Sequence, residues 1–196
     1  MLVKRSMMIG LLSLWVIAMS ACSTSPSTPL PTMDKVDLQR FMGDWYVIAS
    51  IPTFIEKGAH NAVESYRIDD DGSIATTFTF NQDTFDGKKK TYKPRGFVVD
   101  RTGNAIWGMR FIWPIKADYR IVFVDADYKI TIVGRQKRDN VWIMARTPAI
   151  TELEYRDLLE RVKNAGYDMT KVQLVPQQST VPLAPMVPDK RSHGAN

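Results

Sequence analysis

Val36-Asp37-Leu38-Gln39-Arg40-Phe41-Met42-Gly43-Asp44-Trp45-Tyr46-Val47-Ile48-Ala49 is the stretch that organises the chain. It begins as one helical turn. Asp37 is a good N-cap, and Leu38, Phe41 and Met42 follow at helical spacing. Gly43 can end that turn where a side chain would not fit. The period then changes to two, with Trp45, Val47 and Ala49 alternating with Tyr46, Ile48 and Ser50 as in a strand. A large indole just after such a turn suits the plugged end of a small β-barrel, and equally an ordinary core position.

Working outward, short alternating runs recur between turn signals. Strands are expected over 44–51, 62–68, 73–81, 89–99, 118–124, 128–135 and 141–146, with another carrying Trp107, Met109 and Phe111 on one face. The loop over 52–60 hinges at Gly58, and Asp69-Asp70-Asp71-Gly72 is a tight turn. Successive strands joined by short loops predict an antiparallel up-and-down meander. Eight of them close into a barrel with no free edge and room for one small ligand. Thr151-Glu152-Leu153-Glu154 then reads as a capping box. Tyr155, Leu158, Leu159 and Val162 form one apolar stripe behind it, so one α-helix is expected outside the barrel. Val172 and Leu174 suit a short final strand.

The flanks differ from this body. Lys4-Arg5 and the apolar run from Met7 to Met19 form a targeting segment too short to span a membrane comfortably. The single cysteine, Cys22, excludes an intrachain disulfide. Met19-Ser20-Ala21-Cys22 resembles the lipobox of bacterial lipoproteins, with Met19 where Leu is commoner. That resemblance implies cleavage before Cys22 and acylation of its thiol. Ser23 implies sorting to the outer membrane. A plain signal peptide cut after Ala21 is the alternative. The expected organisation is a signal peptide over 1–21, a flexible tether over 22–35, the globular domain over 36–175 and a disordered, proline-rich basic tail over 176–196.

Three separated signatures resemble the lipocalins: Gly43-x-Trp45 preceded by Leu38 and Phe41, Asp125-Ala126-Asp127-Tyr128, and Arg146 at the end of the last long strand. Ala126 stands where the family has Thr. Ile55-Glu56-Lys57-Gly58, the run from Trp142 to Pro148 and the lipobox are similar to the bacterial outer-membrane lipocalins, themselves similar to apolipoprotein D. The resemblance implies a binding protein for a fatty acid or lysophospholipid. It would be anchored to the outer membrane with its domain facing the periplasm, and would store or transport lipid for membrane maintenance. A homodimer is one arrangement left open. Gly43, Trp45 and Arg146 would form the closed end, where a guanidinium over an indole adds a cation–π contact.

With Arg146 at the closed end, alternation assigns the inward set. It comprises Val47 and Ala49; Glu64 and Tyr66; Ile74, Thr76 and Phe78; Trp107, Met109 and Phe111; Tyr119, Ile121 and Phe123; and Trp142 and Met144. Over 128–135 two faces compete. Tyr128, Ile130 and Ile132 are the more apolar, but the outer helix also needs an apolar wall, which favours Thr131 and Val133 inside. Ala49, Thr76 and Gly96 are small, which predicts space for one acyl chain. Its head would lie at the mouth beside the 52–58 loop and Arg110 or Lys116.

Catalytic chemistry is not expected. His60 and His193 are the two histidines, one in a loop and one in the tail. No metal-ligand spacing, phosphate-binding loop or nucleophile motif occurs, so no cofactor or metal is expected. A net charge of +5 without aromatics in a basic groove argues against nucleic-acid binding. A lipid- or isoprenoid-modifying barrel enzyme and a chaperone-like envelope lipoprotein are the alternatives to a lipid cup.

Overall fold

The computed structural model describes residues 28–112 and 114–178. The signal peptide, Cys22, the start of the tether and residues 179–196 of the tail lie outside the described residues. Asp37 caps α1 (Leu38–Phe41), its carboxylate accepting from the backbone N–H of Gln39 and of Arg40. Gly43 follows with φ of +94°, and a Cβ there would lie 3.3 Å from Arg146 Nη1. Glycine therefore serves both the turn and the close approach of that guanidinium.

The wall is a meander of β1 (Gly43–Ile51), β2 (Ala59–Ile68), β3 (Ile74–Gln82), β4 (Lys89–Tyr92), β5 (Arg95–Val98), β6 (Ile106–Ile112), β7 (Ile115–Val124), β8 (Ile130–Gly134) and β9 (Val141–Ala145). β4 and β5 both pair with β3 and together fill one wall position. The expected single strand over 89–99 breaks at Lys93-Pro94, because proline offers no N–H to a ladder. β9 returns to pair with β1, which closes an eight-stranded antiparallel barrel.

α2 (Glu152–Asn164) starts at a capping box of Thr151 and Glu154. Its Leu158 and Val162 pack on the outer faces of β1, β8 and β9 through Ile48, Ile132, Ile143 and Ala145. β10 (Gln173–Leu174) runs along β1 where β1 and β2 part towards the open end. There Pro176 C=O accepts from Asn61 N–H at 2.8 Å. The Gln177 amide donates to the carbonyls of Val47 and Ala62, at 2.8 and 3.0 Å. The C-terminal segment thus stands in for missing β1–β2 rungs.

Two stretches expected to hang free are docked. In the tether, Leu30 is buried in the outer core and Met33 N–H donates to Ile121 C=O. Pro176 and Gln177 make the contacts just described.

Burial falls into two layers. Phe41, Trp45, Val47, Tyr66, Ile74, Trp107, Ile121, Val133 and Met144 fill the barrel interior. The second layer lies between the wall and α2. Two residues expected inside belong to the outer layer, Ala49 and Phe123. Val47 faces Met144 but Ala49 faces Ile143, so Ile48 is an extra residue and reverses the parity of β1. Val122 does the same between Ile121 and Phe123. Phe123 consequently lies outside, under the Arg161 guanidinium at 4.2 Å from the ring centroid. Over β8, Thr131 and Val133 face inward and Ile132 faces α2. Tyr128 precedes β8 in a turn, with φ of +59°.

Candidate functional site

The closed end is plugged by aromatic rings. Phe41 lies 5.1 Å from Trp45 and 5.5 Å from Trp107, centroid to centroid. Trp107 stacks on Tyr119 at 5.2 Å, and Tyr119 lies 6.4 Å from Trp142. The hydroxyls of Tyr66 and Tyr119 share a 2.6 Å hydrogen bond. Val47, Ile74, Thr76, Ile121, Val133 and Met144 are buried around these rings. The lower interior is therefore filled core, and the residues named from alternation divide by height.

Above the rings a cavity of about 60 Å³ opens towards the mouth. Glu64, Phe78, Met109, Phe111, Tyr119 and Trp142 line it, six of the residues expected to bind ligand. Phe111 stands at its rim and is 52% exposed. The cavity is much smaller than the acyl-chain slot expected from the small residues. Ala49 is outside, Thr76 is packed, and Met109 Sδ lies 3.0 Å from where a Cβ on Gly96 would be. Arg110 and Lys116 are not at the cavity. Both lie on the outer wall over the Phe97 ring, at 4.7 and 4.3 Å.

The remaining lining was not legible from strand alternation. Thr53 and Glu56 come from the 52–58 loop, Pro94 from the break between β4 and β5, Ala117 and Asp118 from the start of β7, and Arg135 from the end of β8. Only the turn chemistry around Pro52 and Gly58 hinted at a structured loop there. Arg135 is the cation of the mouth. Its Nη1 donates to Asn140 Oδ1 at 2.8 Å and lies 3.2 Å from the Asp139 carboxylate.

Three carboxyls line this small volume, and Asp118 is held by Arg120 and by Gln136 N–H. Glu56 accepts from Thr53 N–H at 2.8 Å and from Trp142 Nε1 at 3.3 Å, while burial raises its pKa. Glu64 has no hydrogen-bond partner among the described residues. Burial, helped by the charge of Glu56, pushes its pKa up to about 8, so it is mostly protonated at neutral pH. Arg135 Nε is likewise buried without a partner among the described residues. A buried polar atom left unpaired is costly, and two such groups around one cavity mark where a ligand's polar group fits.

A family model described as a lipocalin-like domain matches residues 36–177. The chain belongs to the lipocalin family. Among its relatives, "Temperature-induced lipocalin-1" of Arabidopsis thaliana is 29% identical over 163 residues, covering 79% of this chain and 86% of that protein. "Outer membrane lipoprotein Blc" of Escherichia coli K12 is 27% identical over 160 residues, covering 80% and 89%. Insecticyanin from the tobacco hornworm Manduca sexta superposes with a TM-score of 0.59 at 15% identity, covering 76% and 84%, a likeness of fold. This lipocalin is, at that level, a lipid-binding protein of a family of binders rather than enzymes. Its bacterial relatives are named as outer membrane lipoproteins.

Proposed function

We propose that this lipocalin binds a single-chain lipid, a fatty acid or lysophospholipid, at the mouth of its barrel, and carries or stores it at the outer membrane to which acylated Cys22 tethers it. The observation that carries the reading is the cavity itself. Phe78, Met109, Phe111 and Trp142 give it apolar walls, while Arg135 Nε and the Glu64 carboxyl have no hydrogen-bond partner among the described residues. A protonated Glu64 and Arg135 both donate, which suits the oxygens of a carboxylate or phosphate.

A volume of about 60 Å³ holds only the end of such a chain. Uptake of a longer segment requires the 52–58 loop to swing away from Trp142, breaking the Glu56–Trp142 hydrogen bond. Native mass spectrometry of the full chain purified without detergent tests the reading. The expected spectrum shows a lipid mass beyond the covalent acyl groups of Cys22, one that is lost when the protein is denatured. A fluorescent fatty acid should also bind wild type, and bind far more weakly to Phe78→Glu and Met109→Glu. No added mass, together with equal or absent binding in all three proteins, would overturn the proposal.

A further inference from the structure

The two ends of the barrel differ in chemistry. Phe54 is 86% exposed on the loop after β1, and Phe85 is 37% exposed on the loop after β3. Phe111 and Ile115 are 52% and 71% exposed at the β6–β7 hairpin. Antiparallel order places all three connections at the open end. Four large apolar side chains thus ring one mouth, Phe54 and Ile115 standing free in solvent, Phe85 edge-on against His60 and Phe111 at the cavity rim. Exposed apolar residues gathered in one place mark an interaction surface, whereas scattered ones do not.

Charge follows the same axis. Lys57, Lys88, Lys89, Lys116 and Lys137 are exposed on the open-end loops or beside them. At the closed end the turns carry Asp69, Asp70 and Asp71 after β2, and Asp125 and Asp127 after β7, with Arg67 and Arg95 paired to the first group and Lys129 to Asp127. Lysine is therefore in excess around the apolar rim, where Asp83, Asp86 and Asp139 are the counter-charges, while acids and bases nearly balance at the opposite pole. The rim is the end complementary to an anionic lipid surface.

The chain itself agrees. Thr28, the first described residue, accepts at its carbonyl from Gln136 Nε2 at 3.3 Å and from Arg138 Nη2 at 3.2 Å, in the open-end turn between β8 and β9. At the other terminus, Gln178 N–H donates to Asn61 Oδ1 at 2.6 Å, near the open-end start of β2. From Cys22 to Thr28 the chain spans at most about 20 Å when extended. An anchor at Cys22 would hold the mouth, not the opposite pole, near the bilayer.

We propose that the open end docks on an anionic lipid bilayer, with Phe54, Phe85, Phe111 and Ile115 entering the headgroup layer and the rim lysines facing lipid phosphates. The acyl chains on Cys22 would supply firm attachment by themselves, and the basic apolar rim sets the orientation. Docking in this pose brings the cavity mouth against the lipid, so a chain can pass between bilayer and barrel without crossing water. The surface stands on exposure, charge and chain path, and does not depend on which lipid the cavity takes.

The test uses the full chain in vesicles of phosphatidylglycerol and phosphatidylethanolamine. An environment-sensitive fluorophore is attached at Thr84→Cys on the rim, or at Asp70→Cys on the opposite pole. The rim label should blue-shift and be quenched by brominated lipid, while the Asp70 label stays water-exposed. Full chains carrying Cys22→Ser should bind these vesicles weakly and reversibly at low salt, and several-fold less with Phe54→Ser/Ile115→Ser or Lys88→Glu/Lys89→Glu added. A water-exposed rim label on anchored protein, a blue-shifted Asp70 label, or equal flotation with neutral phosphatidylcholine vesicles would each overturn the docking.

Discussion

The Arg146 guanidinium lies 3.7 Å from the centroid of the Trp45 ring, and it holds five backbone carbonyls while doing so. Nη2 donates to Arg40, Phe41 and Met42, Nη1 to Asp44, and Nε to Tyr128. The indole in turn donates from Nε1 to Phe41 C=O at 2.8 Å. The last turn of α1, the start of β1 and the turn before β8 are therefore joined at one planar cation. Trp45→Ala should cost about 3–5 kcal/mol. Arg146→Lys, which keeps the charge but loses the fork, should cost about 2 kcal/mol. Urea unfolding of the full chain measures both, and a lysine variant as stable as wild type would contradict the joint role of those carbonyls.

Glu64 makes stability decline as pH rises. Its folded-state pKa of about 8 lies above the ordinary value of 4.5. Between these values the folded chain keeps a proton that the unfolded chain has released, so the folded state is progressively disfavoured. The contribution is complete below the unfolded pKa and is lost as pH rises through about 8. The decline should approach about 1.4 kcal/mol per pH unit at its steepest. Glu64→Gln removes the proton and hence the slope. Denaturant midpoints of the two proteins should diverge from weakly acidic to weakly alkaline pH, in favour of the variant. Parallel profiles would show that the carboxyl ionises freely in the fold.

Phe123 and Phe78 separate packing from binding. Phe123→Ala removes the partner of Arg161 on the outer wall and should lower stability by about 1 kcal/mol, leaving uptake of a fluorescent fatty acid unchanged. Phe78→Glu places a charge in the cavity wall and should abolish uptake. Loss of uptake in the Phe123 variant would put that side chain back inside the barrel.

Cys22→Ala should leave the protein unacylated and free of stable outer-membrane attachment, since attachment then rests on the rim alone. Fractionation of cells together with intact mass checks this. An unchanged wild-type mass with the variant still in the outer-membrane pellet would exclude the lipobox.

What the sequence made legible follows from how local each signal is. Asp37, the Thr151 capping box and the alternation around Trp45 are set by neighbours a few residues away, and the corresponding elements form where expected. Ala49 and Phe123 are different. Each follows a single inserted residue, Ile48 or Val122, whose place is fixed by the partner strand and has no local signature. The cavity was the least legible part. Thr53, Glu56 and Arg135 come together only through loops and strand ends, and the free volume depends on where rings such as Trp107 and Tyr119 stack. Alternation assigns a side chain to the interior but not to its filled or its empty half.

The pairing of β1 with β9 also governs how the protein reaches its native state. Val47 meets Met144 across nearly the whole domain, and this pairing cannot form until both strands have been synthesised. Until then β1 presents one unsatisfied edge, and Ile48 and Ile143 lack the α2 cover that comes later still in the chain. Topologies closed by such distant contacts fold slowly, and their open intermediates are prone to aggregate. The nascent chain is thus an incomplete sheet until β9 and α2 have been made, and its dependence on escort before that point should far exceed its dependence on help once folded.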